Sequence, residues 1–397
     1  MKYVLVLLDG GGDRPDANGN TPLSLANKPN IDMLAANGMV GLLDIGYGKD
    51  VDSDFGFFTI LGYAKDEYPG RGYLEALGAN LQPKDDAICI RGNFATLDGN
   101  GVLIDRRAGR DNTGLESLVE AVDGMEIDGI TFRIVKSAGH RVVMVLEDRR
   151  LTDGVLSNDP RVVNVPLPEV KPKDDAGKFT ASLLNKFVRK AHQVLQKHAV
   201  NAKRECPANV ILIRSVGKKR PVQSFQERFG LTGCCIAGIP IADGVARYLG
   251  MDVIKLPGST GYPDTNWDAK VAAAITALGK YDLVWLHINA LDILAHDKKR
   301  VEKTAYVKKI DDGIGRIIKA AGKDTAYILV PDHKTVSLPD FGKYEHVADP
   351  VPVCISGPGI KPNGVGKYDE QSAERGFKLE KHALLGFVLS LARHGGQ

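Results

Sequence analysis

The feature that most constrains this chain is an apolar run that stops on an acid. In KYVLVLLDG, residues 3–8 are all apolar, and Asp9 then opens onto three glycines. A segment that is apolar at every position, rather than at alternate ones, reads as a strand buried on both faces. Related runs return in ANVILIRSVG, GCCIAGI, DVIKLPG, YDLVWLHINALD and AYILVPDH, with helix-like stretches over residues 242–249 and 301–320 between them. This alternation predicts an α/β fold around a mainly parallel sheet. Ligands of such sheets collect beyond the carboxyl ends of the strands, so the residues that follow each run are where a site is expected.

A chain of 397 residues, 43% hydrophobic and 25% charged, is long enough for two or more domains and does not read as disordered. Its apolar runs fall far short of the roughly 20 residues of a membrane span, and no signal-peptide pattern opens it, so a cytoplasmic protein without membrane attachment is expected. Five cysteines, with Cys234 and Cys235 adjacent and no zinc-ligand spacing, fit buried residues in a reducing compartment. The net charge of +3 argues against nucleic acid as a partner and leaves room for a small anionic substrate. The stretch VPLPEVKPKDDAGKF, residues 165–179, reads as a linker. Together with an outward crossing over residues 68–72, it predicts a core of residues 1–67 and 177–397 around an insert of residues 68–176.

Three of the strand ends carry metal-ligand chemistry. The first ends at Asp9; the run over residues 283–288 leads into Asp292 and His296; the run over residues 326–330 leads into Asp332 and His333, with His346 following. Any one of these acids alone reads equally as a turn former or helix cap. Six Asp and His residues at converging strand ends, in a chain with nine histidines, read as a site. A spacing of four on a helix puts Asp292 and His296 on one face. Asp332 and His333, being adjacent, are expected to point apart, toward different ions or in different directions. Mixed oxygen and nitrogen donors suit manganese, zinc, cobalt or iron, and a two-ion site of that kind calls for a hydroxyl nucleophile.

Two further stretches bear on that site. In VDSDFGFFTILGY, Ser53 precedes an apolar run and reads either as a helix N-cap or as a nucleophile at a helix head. Residues 91–141 hold Arg91, Arg106, Arg107, Arg110, His140 and Arg141, in a region whose DGNG and DRRAGR read as loops. Arginine's planar fork suits phosphate and carboxylate, and the alternative is a solvated charged surface.

The ordered strings SDFGFFTILGY, GRGYLEALGANL, RGNFATLD, DRRAGR, LDILAHD, PDH and HVADPVP, following Asp9, resemble archaeal-type cofactor (2,3-bisphosphoglycerate)-independent phosphoglycerate mutases of the alkaline phosphatase superfamily along nearly the whole chain. The resemblance implies an alkaline-phosphatase-like core with an inserted smaller α/β domain that grips the substrate, a small phosphorylated carboxylic acid. It implies one ion on Asp9, Ser53, Asp332 and His333, and a second on Asp292, His296 and His346. Manganese leads as the ion, with magnesium, cobalt or zinc as alternatives, and no 2,3-bisphosphoglycerate is required. Ser53 is then the nucleophile, and Arg106, Arg107, Arg110, Asn93 and His140 the substrate-binding set. A homo-oligomer is compatible with the family. The chain departs from the family pattern at Asp52, Phe55 and Phe57 around Ser53, at Asn289 in place of a lysine, and at Arg161 in place of a histidine. A metal-dependent phosphatase or phosphotransferase acting on another metabolite, or a silent metal- and anion-binding homologue, are the readings left beside a mutase.

Overall fold

Strand Lys2–Leu8 lies at the centre of an eight-stranded sheet with its apolar side chains buried on both faces. The computed structural model describes residues 1–48, 51–341 and 346–394. Across the sheet the strands run Asp252–Val253, Gly233–Ile236, Leu283–Ile288, Lys2–Leu8, Thr325–Val330, Val351–Ser356, Met39–Asp44 and Phe377–Glu380. Lys2–Leu8 is parallel to both of its neighbours, and within this sheet Val351–Ser356 alone runs against the strands beside it. Helices Pro29–Ala36, Trp267–Ala277 and Arg300–Ala320 cover one face, setting Ile31, Leu34, Val271, Ala274, Ile310, Ile314 and Ile317 against Val4, Val6 and Leu286. Each such isoleucine, leucine or valine stabilises the fold by about 1.5–3 kcal/mol on burial. Because these strands are parallel, their carboxyl ends share one edge, and the loops that leave them are brought together there.

The chain divides into two units, one of Met1–Tyr68 and Val222–Gln397, the other of Pro69–Pro221. The second unit is built on an antiparallel sheet. Its central strand Ile88–Leu97 is buried throughout and pairs with Arg141–Leu146 on one side and Val210–Lys218 on the other. Helix Lys178–Leu195 buries Leu183, Leu184, Phe187, Val188 and Leu195 in the same core, where Phe187 stacks on Phe132 at 4.2 Å.

Two expectations from the sequence are corrected here. The return to the first unit lies at residue 222, not 177: the helix and strand after the proline-rich stretch stay in the second unit because their apolar faces are buried in its core. For the same reason ANVILIRSVG is a strand of the antiparallel sheet, not of the parallel one. Its apolar pattern matches the core strands, and only its partner differs. No helix among the described residues is long and apolar enough to cross a membrane. Four of the five cysteines are buried, and all five are free.

Candidate metal centre and nucleophile

Asp9 leaves the end of Lys2–Leu8 and enters residues 10–12, a turn that needs glycine. Gly10 has φ +59°, and a Cβ there would stand 2.5 Å from Asp292 Oδ1 and 2.6 Å from Thr335 Oγ1. The Gly10 N–H donates to Asp332 Oδ1 at 3.0 Å, so this turn holds a second acid as it places the first. Gly10→Ala is therefore expected to cost about 1–3 kcal/mol in backbone strain and to displace Asp292 as well. A lowered melting temperature together with weakened divalent-ion uptake in a calorimetric titration is the result to look for.

The first unit brings Asp9, Ser53, Asp292, His296, Asp332, His333 and His346 into one cluster. Helix Ala290–His296 sets Asp292 Oδ2 3.3 Å from His296 Nε2. His346 Nε2 lies 3.3 Å from Asp292 Oδ1 and 2.9 Å from His296 Nε2. His333 Nε2 lies 3.3 Å from Asp332 Oδ2 and 3.7 Å from Asp9 Oδ1. Asp332 and His333 thus converge instead of pointing apart. Strand alternation does not apply to them, because the chain bends at both residues before it resumes as strand Lys334–Thr335. His333 is within ligand reach of both groups, Asp9 with Asp332 and Asp292 with His346.

Ser53 is the first residue of helix Ser53–Ile60, and Asp52 occupies the N-cap position without a side-chain capping bond. The Ser53 hydroxyl turns inward, 3.0 Å from His333 Nε2 and 3.5 Å from Asp9 Oδ1. Gly56, one turn on, lets this helix approach the cluster, for a Cβ there would stand 2.9 Å from Asp332 Cβ. Asp52 is exposed and Phe55 half-buried, its ring 5.7 Å from Tyr47 and 5.5 Å from Tyr68. Asn289 donates to the Gly261 carbonyl at 2.8 Å.

The electrostatics fit divalent cations. Asp9, Asp292 and Asp332 are all buried. Burial and Asp292 push the Asp9 carboxyl well above its usual range, and burial and Asp9 do the same to Asp332. Burial also acts on Asp292, but hydrogen bonds from His296 and His346 outweigh it and hold that carboxyl well below. Asp332 Oδ2 has no hydrogen-bond partner. His346 Nδ1 lies 3.0 Å from the Val51 carbonyl, which can only accept, so that nitrogen carries a hydrogen; burial pulls the ring's pKa down, but Asp292 and the Val51 carbonyl outweigh it and raise it. Buried carboxylates crowded together, with Asp292 raising the cost of ionising Asp9 and Asp9 that of Asp332, are what a cation reverses from repulsion to ligation.

The sequence reading missed the residues that hold this cluster. His287 sits among the apolar residues of strand Leu283–Ile288, where it reads as core, yet its Nε2 meets Asp9 Oδ2 at 3.1 Å. Burial first, then Lys270, brings the His287 pKa down to about 3, so the ring is neutral and its N–H is free to donate. Lys303, wholly buried in helix Arg300–Ala320, donates to the carbonyls of Gly10 at 2.9 Å, Gly12 at 3.1 Å and Thr335 at 3.0 Å, and to Asp13 Oδ2 at 3.1 Å. Its sequence signal is a lysine in phase with the apolar face formed by Tyr306, Val307 and Ile310.

In the second unit a cationic cluster surrounds His140. Burial, followed by Arg141, Arg107, Arg91 and Arg110, brings His140 down to about 3 and keeps it neutral. Arg106 is bidentate to the buried Asp159 at 2.6 and 2.8 Å, and Arg214 bonds the same carboxylate. Arg91 lies 3.3 Å and Arg71 3.0 Å from Glu75 Oε1. Burial pushes Glu75 up, but Arg91, Arg71 and Arg141 prevail and bring it to about 2. Asn93 is buried, its Oδ1 without a hydrogen-bond partner. Arg161 is exposed, its N–H donating to Asp159 Oδ1 at 2.9 Å. Arg71, Glu75, Asp159 and Arg214 were absent from the expected set. The first two were legible as an i, i+4 pair in GRGYLEALG.

A family model described as 2,3-bisphosphoglycerate-independent phosphoglycerate mutase matches residues 35–201. A curated protein of that description from Methanococcus aeolicus is 39% identical, over 95% of this chain and 94% of its own length. Another from Methanopyrus kandleri is 40% identical, over 94% and 92%. Among solved structures, a Pyrococcus horikoshii protein matches with a TM-score of 0.83 and 28% identity, covering 100% of this chain and 98% of its own. The cofactor-independent phosphoglycerate mutase from Thermoplasma acidophilum matches at 0.68 and 29%, covering 99% and 100%. Identity of nearly two residues in five, over alignments that cover 95% and 94% of the chain, makes this chain a member of the 2,3-bisphosphoglycerate-independent phosphoglycerate mutase family.

Proposed function

We propose that the family's isomerase activity, the interconversion of 3-phosphoglycerate and 2-phosphoglycerate without 2,3-bisphosphoglycerate, runs in this chain through Ser53. The observation that carries this reading is the Ser53 hydroxyl at the head of its helix, 3.0 Å from His333 Nε2 beside three buried carboxylates. Ser53 Oγ attacks the phosphorus of 3-phosphoglycerate; the bond from phosphorus to the C3 oxygen breaks, and the serine proton ends on that oxygen. The C2 hydroxyl of the glycerate then attacks the phosphoserine, and its proton returns to Ser53. The N–H groups at the helix N-terminus favour the phosphoryl oxygens in both halves.

Asp9, Ser53, Asp332 and His333 would hold one divalent ion and Asp292, His296 and His346 a second, with His333 in reach of both groups. Such ions supply positive charge that lowers the hydroxyl's pKa and offsets charge on the phosphoryl group. Manganese suits this mixture of carboxylate and imidazole, with magnesium, cobalt or zinc as alternatives. The arginines around His140, with Asn93, bind the substrate's anionic groups, Arg107 and Arg110 directly and Arg106 as held by Asp159. The second unit is thus the substrate-gripping part of the enzyme.

The test is conversion of 3-phosphoglycerate by the full chain with manganese and no bisphosphoglycerate, reading 2-phosphoglycerate and free phosphate in one sample. Appearance of 2-phosphoglycerate that ceases after chelation and returns with manganese is the expected result. Free phosphate as the sole product would make the chain a phosphatase and overturn the reading.

A further inference from the structure

We propose that Thr335 is a positioning residue that joins the two ligand groups of the centre and sets the tautomer of His333. The inference deepens the metal-centre reading above and rests on it. Thr335 is fully buried two residues beyond His333. Its Oγ1 lies 2.7 Å from Asp292 Oδ1 and 3.1 Å from His333 Nδ1. One side chain therefore touches an acid of one group and the imidazole that reaches both.

A hydroxyl has one proton to give. An ionised carboxylate can only accept, so the Thr335 proton lies toward Asp292 and a lone pair of Oγ1 faces the ring. His333 Nδ1 must then carry its hydrogen and donate to Thr335. A neutral ring protonated at Nδ1 has its lone pair at Nε2, the atom 3.0 Å from Ser53 Oγ and 3.3 Å from Asp332 Oδ2. The other tautomer would set lone pair against lone pair at Thr335 and turn an N–H toward the cluster. A metal-ligating histidine is commonly fixed through its second nitrogen by a carbonyl or carboxylate. Here a hydroxyl takes that role, and it passes the constraint on to the opposite acid.

The backbone around Thr335 is built to aim this hydroxyl. Its N–H donates to the Gly12 carbonyl at 3.0 Å, and its own carbonyl accepts from Lys303 Nζ at 3.0 Å. In the short antiparallel ladder it stands opposite His346. A β-branched side chain on a strand has few rotamers, so a fixed backbone fixes the hydroxyl. The missing Cβ of Gly10 leaves the space in which the Thr335 to Asp292 bond forms.

The experiment uses the full chain stripped of metal and titrated with manganese by calorimetry, with free ion counted by electron paramagnetic resonance. Thr335→Val keeps the shape and removes the hydroxyl; it is expected to weaken manganese binding about 10- to 100-fold, the range seen for such outer-sphere partners. Thr335→Ser restores the hydroxyl and is expected to bind as the unsubstituted chain does. Equal affinity of the valine variant overturns the proposal, as does a serine variant as weak as valine, since the methyl group would then be what matters. A second readout, taken on the unsubstituted chain, is the ring nitrogen spectrum of its metal-free form, with His333 identified by its loss in His333→Gln. Hydrogen on Nδ1 is expected, and hydrogen on Nε2 overturns the proposal. If the unsubstituted chain takes up no manganese, the metal reading itself falls, while the ring spectrum still judges the Thr335 bond.

Discussion

Ser53→Ala is expected to reduce the conversion of 3-phosphoglycerate by about 10⁴-fold or more, as removal of a nucleophile generally does, while the chain folds as before. The fold should hardly notice the change. Asp52, not Ser53, is at the N-cap, and the Ser53 hydroxyl makes no capping bond for its removal to break. Alanine is also a better helix former than serine. The loss should fall on turnover and not on substrate affinity, because the arginines proposed to bind the anions are untouched. Two measurements check this: 2-phosphoglycerate formation at saturating substrate, and retention of labelled phosphate on the protein after rapid quenching. The unsubstituted chain should carry label and the alanine chain none. A variant that still isomerises at a tenth of the normal rate would place the nucleophile elsewhere.

Lys303→Met is the substitution with the largest expected effect on stability. The ammonium is fully buried and is shared by three carbonyls and Asp13. Burial pulls its pKa below the usual lysine value against the opposing pull of Asp13. Methionine fills most of the volume but leaves the carbonyls of Gly10, Gly12 and Thr335 without this donor. Asp13 keeps Arg300 at 3.3 Å and the Ser337 hydroxyl at 2.6 Å, so its charge is only partly compensated. Breaking a buried pair from one side costs about 3–5 kcal/mol, which for a unit of this size lowers the melting temperature by roughly 10 °C. Because the same ammonium ties residues 10–12 to strand Lys334–Thr335, manganese uptake should fall with it. Calorimetric melting of the metal-free chain reads the first effect, and a shift under about 2 °C would mean that the site relaxes around the missing charge.

Much of the centre was legible because its residues come at strand ends. An apolar run that stops at Asp9 or Asp332 announces both a buried strand and the polar group at its end. The four-residue spacing of Asp292 and His296 has one meaning on a helix. The supports were hidden for the opposite reason. His287 lies inside an apolar strand, Lys303 in a helix rich in lysine, and Thr335 in a short strand, so nothing local separates them from core, surface or filler. Asp332 and His333 misled because alternation holds only for extended chain, and here it bends.

The sequence by itself determined many of the core's strands and helices, which of them end in acids and imidazoles, and which family the whole resembles. These follow from local period, side-chain chemistry and order along the chain. Only the tertiary structure decided that ANVILIRSVG pairs in the antiparallel sheet, that His333 faces both acid groups, and that His287, Lys303 and Thr335 hold the centre. Strand partners and side-chain orientations depend on contacts between residues far apart in the chain: the apolar surface of a strand is the same whichever neighbour covers it, and a buried donor is placed by the acceptors that other segments bring to it.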